Sequence, residues 1–188
     1  FSETWFQNAR VPQANRVGPE NGGWTMAKAL LGHERTLIGG IAESRRWLRL
    51  CKRIAAATKV GSASLLDDVE FRRRIARLEM RLRSLEMVQL RTLAAAQLGR
   101  APGPESSILK IKGSEIQQTI AELQMQALGH YALPWLPEAL DAAWTGEPVG
   151  ADYAAPLSGH YFNYRKTTIY GGSNEIQKNI IAQMILGL

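Results

Sequence analysis

Apolar residues return at helical spacing from about Trp24 to Ala57, through Leu30, Leu31, Leu37, Ile38, Ile41, Leu48 and Cys51, which predicts one long amphipathic helix. The run "TKVGSAS" breaks the pattern. Asp67-Asp68 then open a second long helix, to about Leu98, on Val69, Ile75, Leu78, Leu82, Leu85, Val88 and Leu90, with acidic residues suited to its positive N-terminus. After the loop "GRAPGPES", Ser106 or Ser107 can cap a third helix through Ile108, Leu109, Ile111, Ile116, Ile120 and Leu123 to about Leu128. Residues 129–159, rich in Pro and Trp, read as loop with short helical pieces, and long connections of that kind are often functional. A final helix is expected from about Asn174 to Ile185, with Ser173 as N-cap and Glu175 in its first turn. Short connections between the long helices favour antiparallel neighbours, so the fold class predicted is all-α, an antiparallel four-helix bundle. The opening "FSETWFQNARVPQANRVGPENGGW" reads differently, as the end of a strand followed by a loop.

Composition adds limits. The chain has 188 residues, 45% of them hydrophobic, enough to bury a core in one domain. Its formal net charge of +6 suits an anionic partner, but the charges are spread out. The densest run, Phe71-Arg72-Arg73-Arg74, is interleaved with Glu70, Glu79 and Glu86. It reads as a solvated helix face, with phosphate binding as the alternative. A nucleic-acid binder needs a clustered patch that this sequence lacks. The single Cys51 forms no internal disulfide and fits a reducing, cytoplasmic compartment. No run approaches the ~20 apolar residues of a membrane span. Phe1 in place of an initiating Met suggests a processed or truncated product.

Two stretches carry candidate chemistry. In "LLGHERTLIGGIA", Leu30, Glu34, Ile38 and Ile41 share one helix face, so Glu34 is expected among aliphatics. Partial desolvation there would raise its pKa toward that of a general base for a carbon acid. Arg35, about 100° round the helix, would orient a ligand or hold the carboxylate. The plainer reading pairs Glu34 with Arg35, Arg45 or another helix. In "TIYGGSNEIQKNIIAQMILGL", Gly171-Gly172 permit positive φ and close backbone approach just before a helix start. His33, His130 and His160 have no metal-ligand spacing, and no metal is expected. Trp24, Trp47, Trp135 and Trp144 read as core or interface residues. Walker, GxSxG and GxGxxG motifs are absent.

Ala9-Arg10-Val11-Pro12, then Asn21-Gly22-Gly23-Trp24, then Leu31 to Arg35, followed at the far end by "IYGGSNEIQKNIIA" and Leu186-Gly187-Leu188, resemble the C-terminal half of an acyl-CoA dehydrogenase. The resemblance covers essentially the whole chain. Its terminal motif is specific and its middle helices are generic. It implies that residues 1–22 are the end of a middle β domain and linker, and that 23–188 form the C-terminal helical bundle. It also implies α,β-dehydrogenation of an acyl-CoA thioester, with a glutamate taking the α proton and FAD taking the β hydrogen as hydride. Electrons would pass to an electron-transferring flavoprotein.

In many members of that family the base follows the tyrosine of the terminal motif. Here that position is Gly171, which has no side chain. In members resembling isovaleryl-CoA dehydrogenase the base precedes an arginine on the first bundle helix, and that position is Glu34, followed by Arg35. The resemblance therefore assigns Glu34 as base, and Arg35, Tyr170 and Gly171 to the substrate. It assigns Gly172, Ser173 and Glu175 to the flavin, and Gln126, Ala127, Leu128 and Gly129 to the FAD diphosphate across a dimer. Dimers paired into homotetramers are implied. His130 stands where the family has a second glycine, and "AATKVGSAS" lacks an FAD-gripping arginine, although Gly61 matches. These departures fit the alternative, a non-catalytic helical interaction subunit of a heteromeric acyl-CoA dehydrogenase.

Overall fold

The computed structural model describes residues 2–100 and 103–188, and gives residues 32, 33 and 35–38 as backbone only. Its elements are α1 (Gly23–Ile38), α2 (Ile41–Ala57), β1 (Lys59–Val60), β2 (Ala63–Ser64), α3 (Val69–Gln97), α4 (Glu105–Leu128), α5 (Ala154–Tyr164) and α6 (Asn174–Ile181). A π turn, Ala182–Leu186, extends α6 and ends at Gly187 in the left-handed region, φ 69°.

The first predicted helix is in fact two. Gly40 adopts φ 55°, a conformation that costs glycine little, and the chain turns there between α1 and α2. The strand expected near the start is not formed, and residues 2–22 are irregular apart from one short turn, Gln13–Asn15. An extended segment becomes a strand only against a pairing neighbour, and none is present among the described residues. The helix α5 was not anticipated. Gly159 sits in its middle and His160, Tyr161 and Phe162 are indifferent helix formers, so local propensity is weak and tertiary packing decides. The caps of α3 and α6 agree with expectation, whereas neither Ser106 nor Ser107 caps α4: both lie buried inside that helix, which starts after Pro104 with no side-chain cap bond. Asp68 accepts from Phe71 N–H at the start of α3, and Ser173 does the same for Ile176 at the start of α6.

The chain divides into two units, Phe1–Leu31 and Gly32–Leu188. In the first, Gly18 has φ 79° and packs against Met26 of α1, and Arg16 pairs with Glu20 at 3.3 Å. The second holds the bundle. Residues 98–104 joining α3 to α4 reach at most about 25 Å. The helix α4 is roughly 36 Å long, so it must run back along α3. Helix α4 is central and packs against α2, α3, α5 and α6. The core comprises Leu48, Cys51 and Ile54 of α2, Phe71, Ile75, Leu78, Leu82 and Leu85 of α3, Leu109, Ile116, Ile120 and Leu123 of α4, and Leu157 of α5. The Phe71–Arg74 run behaves as a solvated face around one buried ring. Phe71 is in the core while Arg73 pairs with Glu70 and Arg74 with Glu122. The tryptophans divide: Trp47 packs against the core, whereas Trp24 and Trp135 are exposed. No described helix is long and apolar enough to cross a membrane.

Candidate functional site

The terminal motif is fastened to α4 at two points. At the first, Gln118 Nε2 donates to the carbonyls of Tyr164 and Arg165 at 3.2 and 3.1 Å, and the Arg165 guanidinium returns a bond to Gln118 O at 3.1 Å. At the second, Lys110 Nζ donates to Asn174 Oδ1 at 2.9 Å, with Ser114 Oγ 3.3 Å from the same amide. Lys110 has no accessible surface at all, and burial lowers its pKa from the usual ammonium value, opposed by Glu175. Between these anchors Tyr170, Gly171, Gly172 and Ser173 form an outward-facing turn. Gly171 and Gly172 have φ 65° and 83°, left-handed angles that glycine adopts at little cost. Tyr170 stays partly exposed, and desolvation together with the Glu43 carboxylate raises its pKa.

The N-terminus of α6 already carries a negative charge. The Glu175 carboxyl is held below its usual range, first by a hydrogen bond from its own backbone N–H and then by the Ser173 side chain. An anion there satisfies the helix dipole, so the position suits a ligand edge with hydrogen-bond donors better than a phosphate.

Glu34 lies on α1 and is exposed. The desolvation expected from its aliphatic neighbours is not supplied. Leu30 is itself 68% exposed, and Ile41 belongs to α2 once the helix breaks at Gly40. The expected pairing of Glu34 with Arg45 is not made, because Arg45 pairs with Glu86. The side chain of Arg35 lies outside the described residues. What the fold does provide is placement. Gly39, five positions after Glu34, crosses α4 so closely that a Cβ on Gly113 would stand 2.5 Å from Gly39 O. Gly113 adjoins Ser114, which holds Asn174. The α1–α2 junction behind Glu34 and the start of α6 therefore meet the same two residues of the central helix.

A second carboxylate, Glu43 in the first turn of α2, is committed elsewhere. Its Oε1 accepts from Tyr164 OH at 3.0 Å and Trp47 Nε1 at 3.2 Å. His160 lies between the Trp47 and Tyr164 rings, with centroids 4.2 and 3.8 Å away. Burial and Glu43 push the Tyr164 phenol up to about 12, while burial lowers the His160 pKa.

Residues 126–129 lie at the other end of α4, roughly 20 Å beyond Ser114. Ala127 and Leu128 are buried, and Ala127 O accepts from Thr58 Oγ1 at 2.9 Å. The exposed Gln126 amide is engaged by Arg74 and Glu122. Gly129 has φ 60° and open space where a Cβ would stand, and His130 beside it is exposed. Gly61, φ 61°, sits in the β1–β2 turn, next to Lys59 rather than an arginine. The chain thus brings Tyr170, Gly171, Gly172, Ser173 and Glu175 together and sets Gln126 to Gly129 apart from them.

Sequence reasoning missed Lys110, Gln118 and Gln177. For Lys110 a signal was present: Ser107, Lys110, Ser114 and Gln117 repeat at helical spacing along α4, a polar stripe that the fold buries.

The family model for the acyl-CoA dehydrogenase C-terminal domain matches residues 21–186. Acyl-CoA dehydrogenase FadE26 of Mycobacterium tuberculosis is 32% identical across all of this chain, which spans 45% of that protein's length. The ChsE4-ChsE5 complex from Mycobacterium tuberculosis superposes with a TM-score of 0.72 at 29% identity, covering 98% of this chain and 45% of that one. PigA with FAD and proline superposes with a TM-score of 0.77, covering 97% of this chain and 43% of that one, and at 20% identity the likeness is of fold. The chain belongs to the acyl-CoA dehydrogenase family, and what it carries is the C-terminal helical domain.

Proposed function

We propose that this chain is the base-bearing part of an FAD-dependent acyl-CoA dehydrogenase, with Glu34 taking the α proton of the acyl thioester. The observation that carries the reading is the convergence on Gly113 and Ser114. It brings the helix end bearing Glu34 and the Tyr170–Ser173 turn to one region of the bundle. Of the three carboxylates in that region, Glu43 is occupied by Tyr164 and Trp47, Glu175 is held by its own backbone N–H and the Ser173 side chain, and Glu34 has no ion pair among the described residues. A base must be free to receive a proton, so the role falls to Glu34.

FAD, when bound, accepts the β hydrogen as hydride. The residues present fit that group in two places. At the start of α6, Gly172, Ser173 and Glu175 offer backbone and acceptor oxygens to donors on a flavin edge. The open backbone at Gly129, with Gln126, Ala127 and Leu128 behind it, offers a second surface. The ~20 Å separation along α4 means that one chain would use the two surfaces on distant parts of FAD, or on two FAD molecules in a dimer. Gly171, lacking a side chain, leaves room for the acyl group beside Tyr170, and Arg35 would orient the thioester or the base.

Burial of Glu34 must then come from substrate or from further polypeptide that closes over it. Exposed Met80, Met87 and Leu90 along α3 support assembly, as homodimers or homotetramers. An electron-transferring flavoprotein is the proposed electron acceptor. The second reading is a helical interaction subunit in a heteromeric enzyme. His130, and Lys59 in place of an arginine, favour it, and ChsE4-ChsE5 is a relative described as a complex of two named chains. Flavin content of the intact protein separates the two. Stoichiometric FAD that an acyl-CoA bleaches supports the dehydrogenase, and a purified protein free of flavin supports the subunit.

A further inference from the structure

The side chain of Gln177 is 1% exposed, one turn into α6. Its Nε2 donates to Gly171 O at 3.3 Å, across the two-glycine turn. The amide orientation is dictated by chemistry, because Gly171 O is an acceptor and only the NH2 group can face it. Its Oε1 is buried with no hydrogen-bond partner among the described residues. A buried amide with one end unsatisfied is a net cost unless the other end holds something in place. What it holds is narrow. A Cβ on Gly172 would stand 2.4 Å from Gln177 Nε2, so the amide reaches Gly171 only because residue 172 has no side chain. Gly172 is thus required twice, for its φ of 83° and for the passage of the Gln177 amide.

We infer that Gln177 is a positioning residue that fixes the Tyr170–Ser173 turn by bonding Gly171 O through the gap left at Gly172. Among the described residues the turn is otherwise tied at its ends, by the Tyr170 N–H bond to Lys166 O and Gln118 before it and by Lys110 and Ser114 after it. Gln177 is the one described side chain bonded to the middle of the turn. Resting on the acyl-CoA dehydrogenase reading, this makes Gln177 a determinant of where Gly171 stands relative to the acyl chain, without touching it.

The test uses the full-length protein that contains this segment, in four forms: Gln177→Met, Gln177→Ala, Gly172→Ala and Gly172→Ala/Gln177→Ala. Gln177→Met keeps length and apolar bulk and removes the donor. Hydrogen exchange in peptides covering 168–180 should accelerate at least fivefold in Gln177→Met, with α2 and α4 peptides unchanged. KM for acyl-CoA should rise at least fivefold with kcat within about threefold. Gly172→Ala should be the worst single variant, and the double variant should recover part of that loss, because removing the amide relieves the collision while the strain of the left-handed backbone at residue 172 remains. Unchanged exchange at 168–180 in Gln177→Met overturns the inference. A double variant no better than Gly172→Ala also overturns it, since the backbone angle alone would then demand glycine. Faster exchange and the rescue pattern with an unaltered KM would uphold the positioning role and contradict the placement of this turn in the acyl site.

Discussion

Buried polar side chains carry most of the specific information at the residue scale. Lys110 is sealed in α4 with Asn174 Oδ1 as its acceptor, and a hydrogen bond to a charged group is worth about 1.5–3 kcal/mol. Asn174→Ala removes that acceptor and leaves the ammonium enclosed. Stability should fall by about 1.5–3 kcal/mol, read as a lower urea midpoint with an unchanged m-value. No loss would mean that Lys110 escapes to water. His160 gives a pH signature. Burial lowers its folded pKa, with Glu43 opposing and Arg46 reinforcing the shift. Below the unfolded value near 6.5 the unfolded chain binds the extra proton first, so stability contributed above that pH is lost on acidification. Replacing His160 by Phe preserves a ring between Trp47 and Tyr164 and should flatten the fall in melting temperature between pH 7 and pH 5. An equally steep fall in the variant would assign it to other groups.

Elements differ in how far the sequence revealed them. Helices α3 and α4 were legible because their apolar residues repeat at 3.6; the start of α4 at Glu105, with no side-chain cap, was not, whereas the start of α3 was because its Asp68 cap is local. The start of α6 was legible for the same reason, since Ser173 bonds Ile176 N–H three residues on. The break at Gly39-Gly40 and the helix α5 were not, because each depends on a neighbour distant in sequence. Gly39 turns where Gly113 of α4 lets it pass, and α5 forms where Ser158 and Leu157 dock on the core. The candidate site follows the same division. Gly171, Gly172, Ser173 and Glu175 could be read from one motif, whereas Lys110 and Gln118 needed the fold to bring them in from α4. The crossing makes its own prediction. Gly113→Ala gains about 1 kcal/mol of helix propensity, but the new Cβ meets Gly39 backbone, which cannot rotate away. Overpacking of this kind costs about 1–3 kcal/mol, so net destabilisation is expected, together with slower flavin reduction as the junction behind Glu34 is displaced. A stabilised Gly113→Ala protein with normal reduction would show that the crossing is loose.

For the whole molecule, the bundle is a frame that holds the two proposed functional surfaces about 20 Å apart on α4, one near Ser114 and one near Leu128. The chain spans 45% of the length of a relative that it matches from end to end, and Glu34 and the Tyr170–Ser173 turn are both exposed within it. A carboxylate in water is a weak base, so the proposed chemistry depends on whatever closes over this face. The decisive measurement compares wild type with Glu34→Gln in the intact protein, following flavin absorbance as a panel of acyl-CoAs is added. The account predicts that wild type bleaches with at least one acyl-CoA, and that Glu34→Gln binds flavin to the same content but bleaches at least 1,000-fold more slowly. Bleaching at the wild-type rate in Glu34→Gln would contradict Glu34 as the base, and flavin-free wild type would contradict the dehydrogenase reading in favour of the interaction subunit.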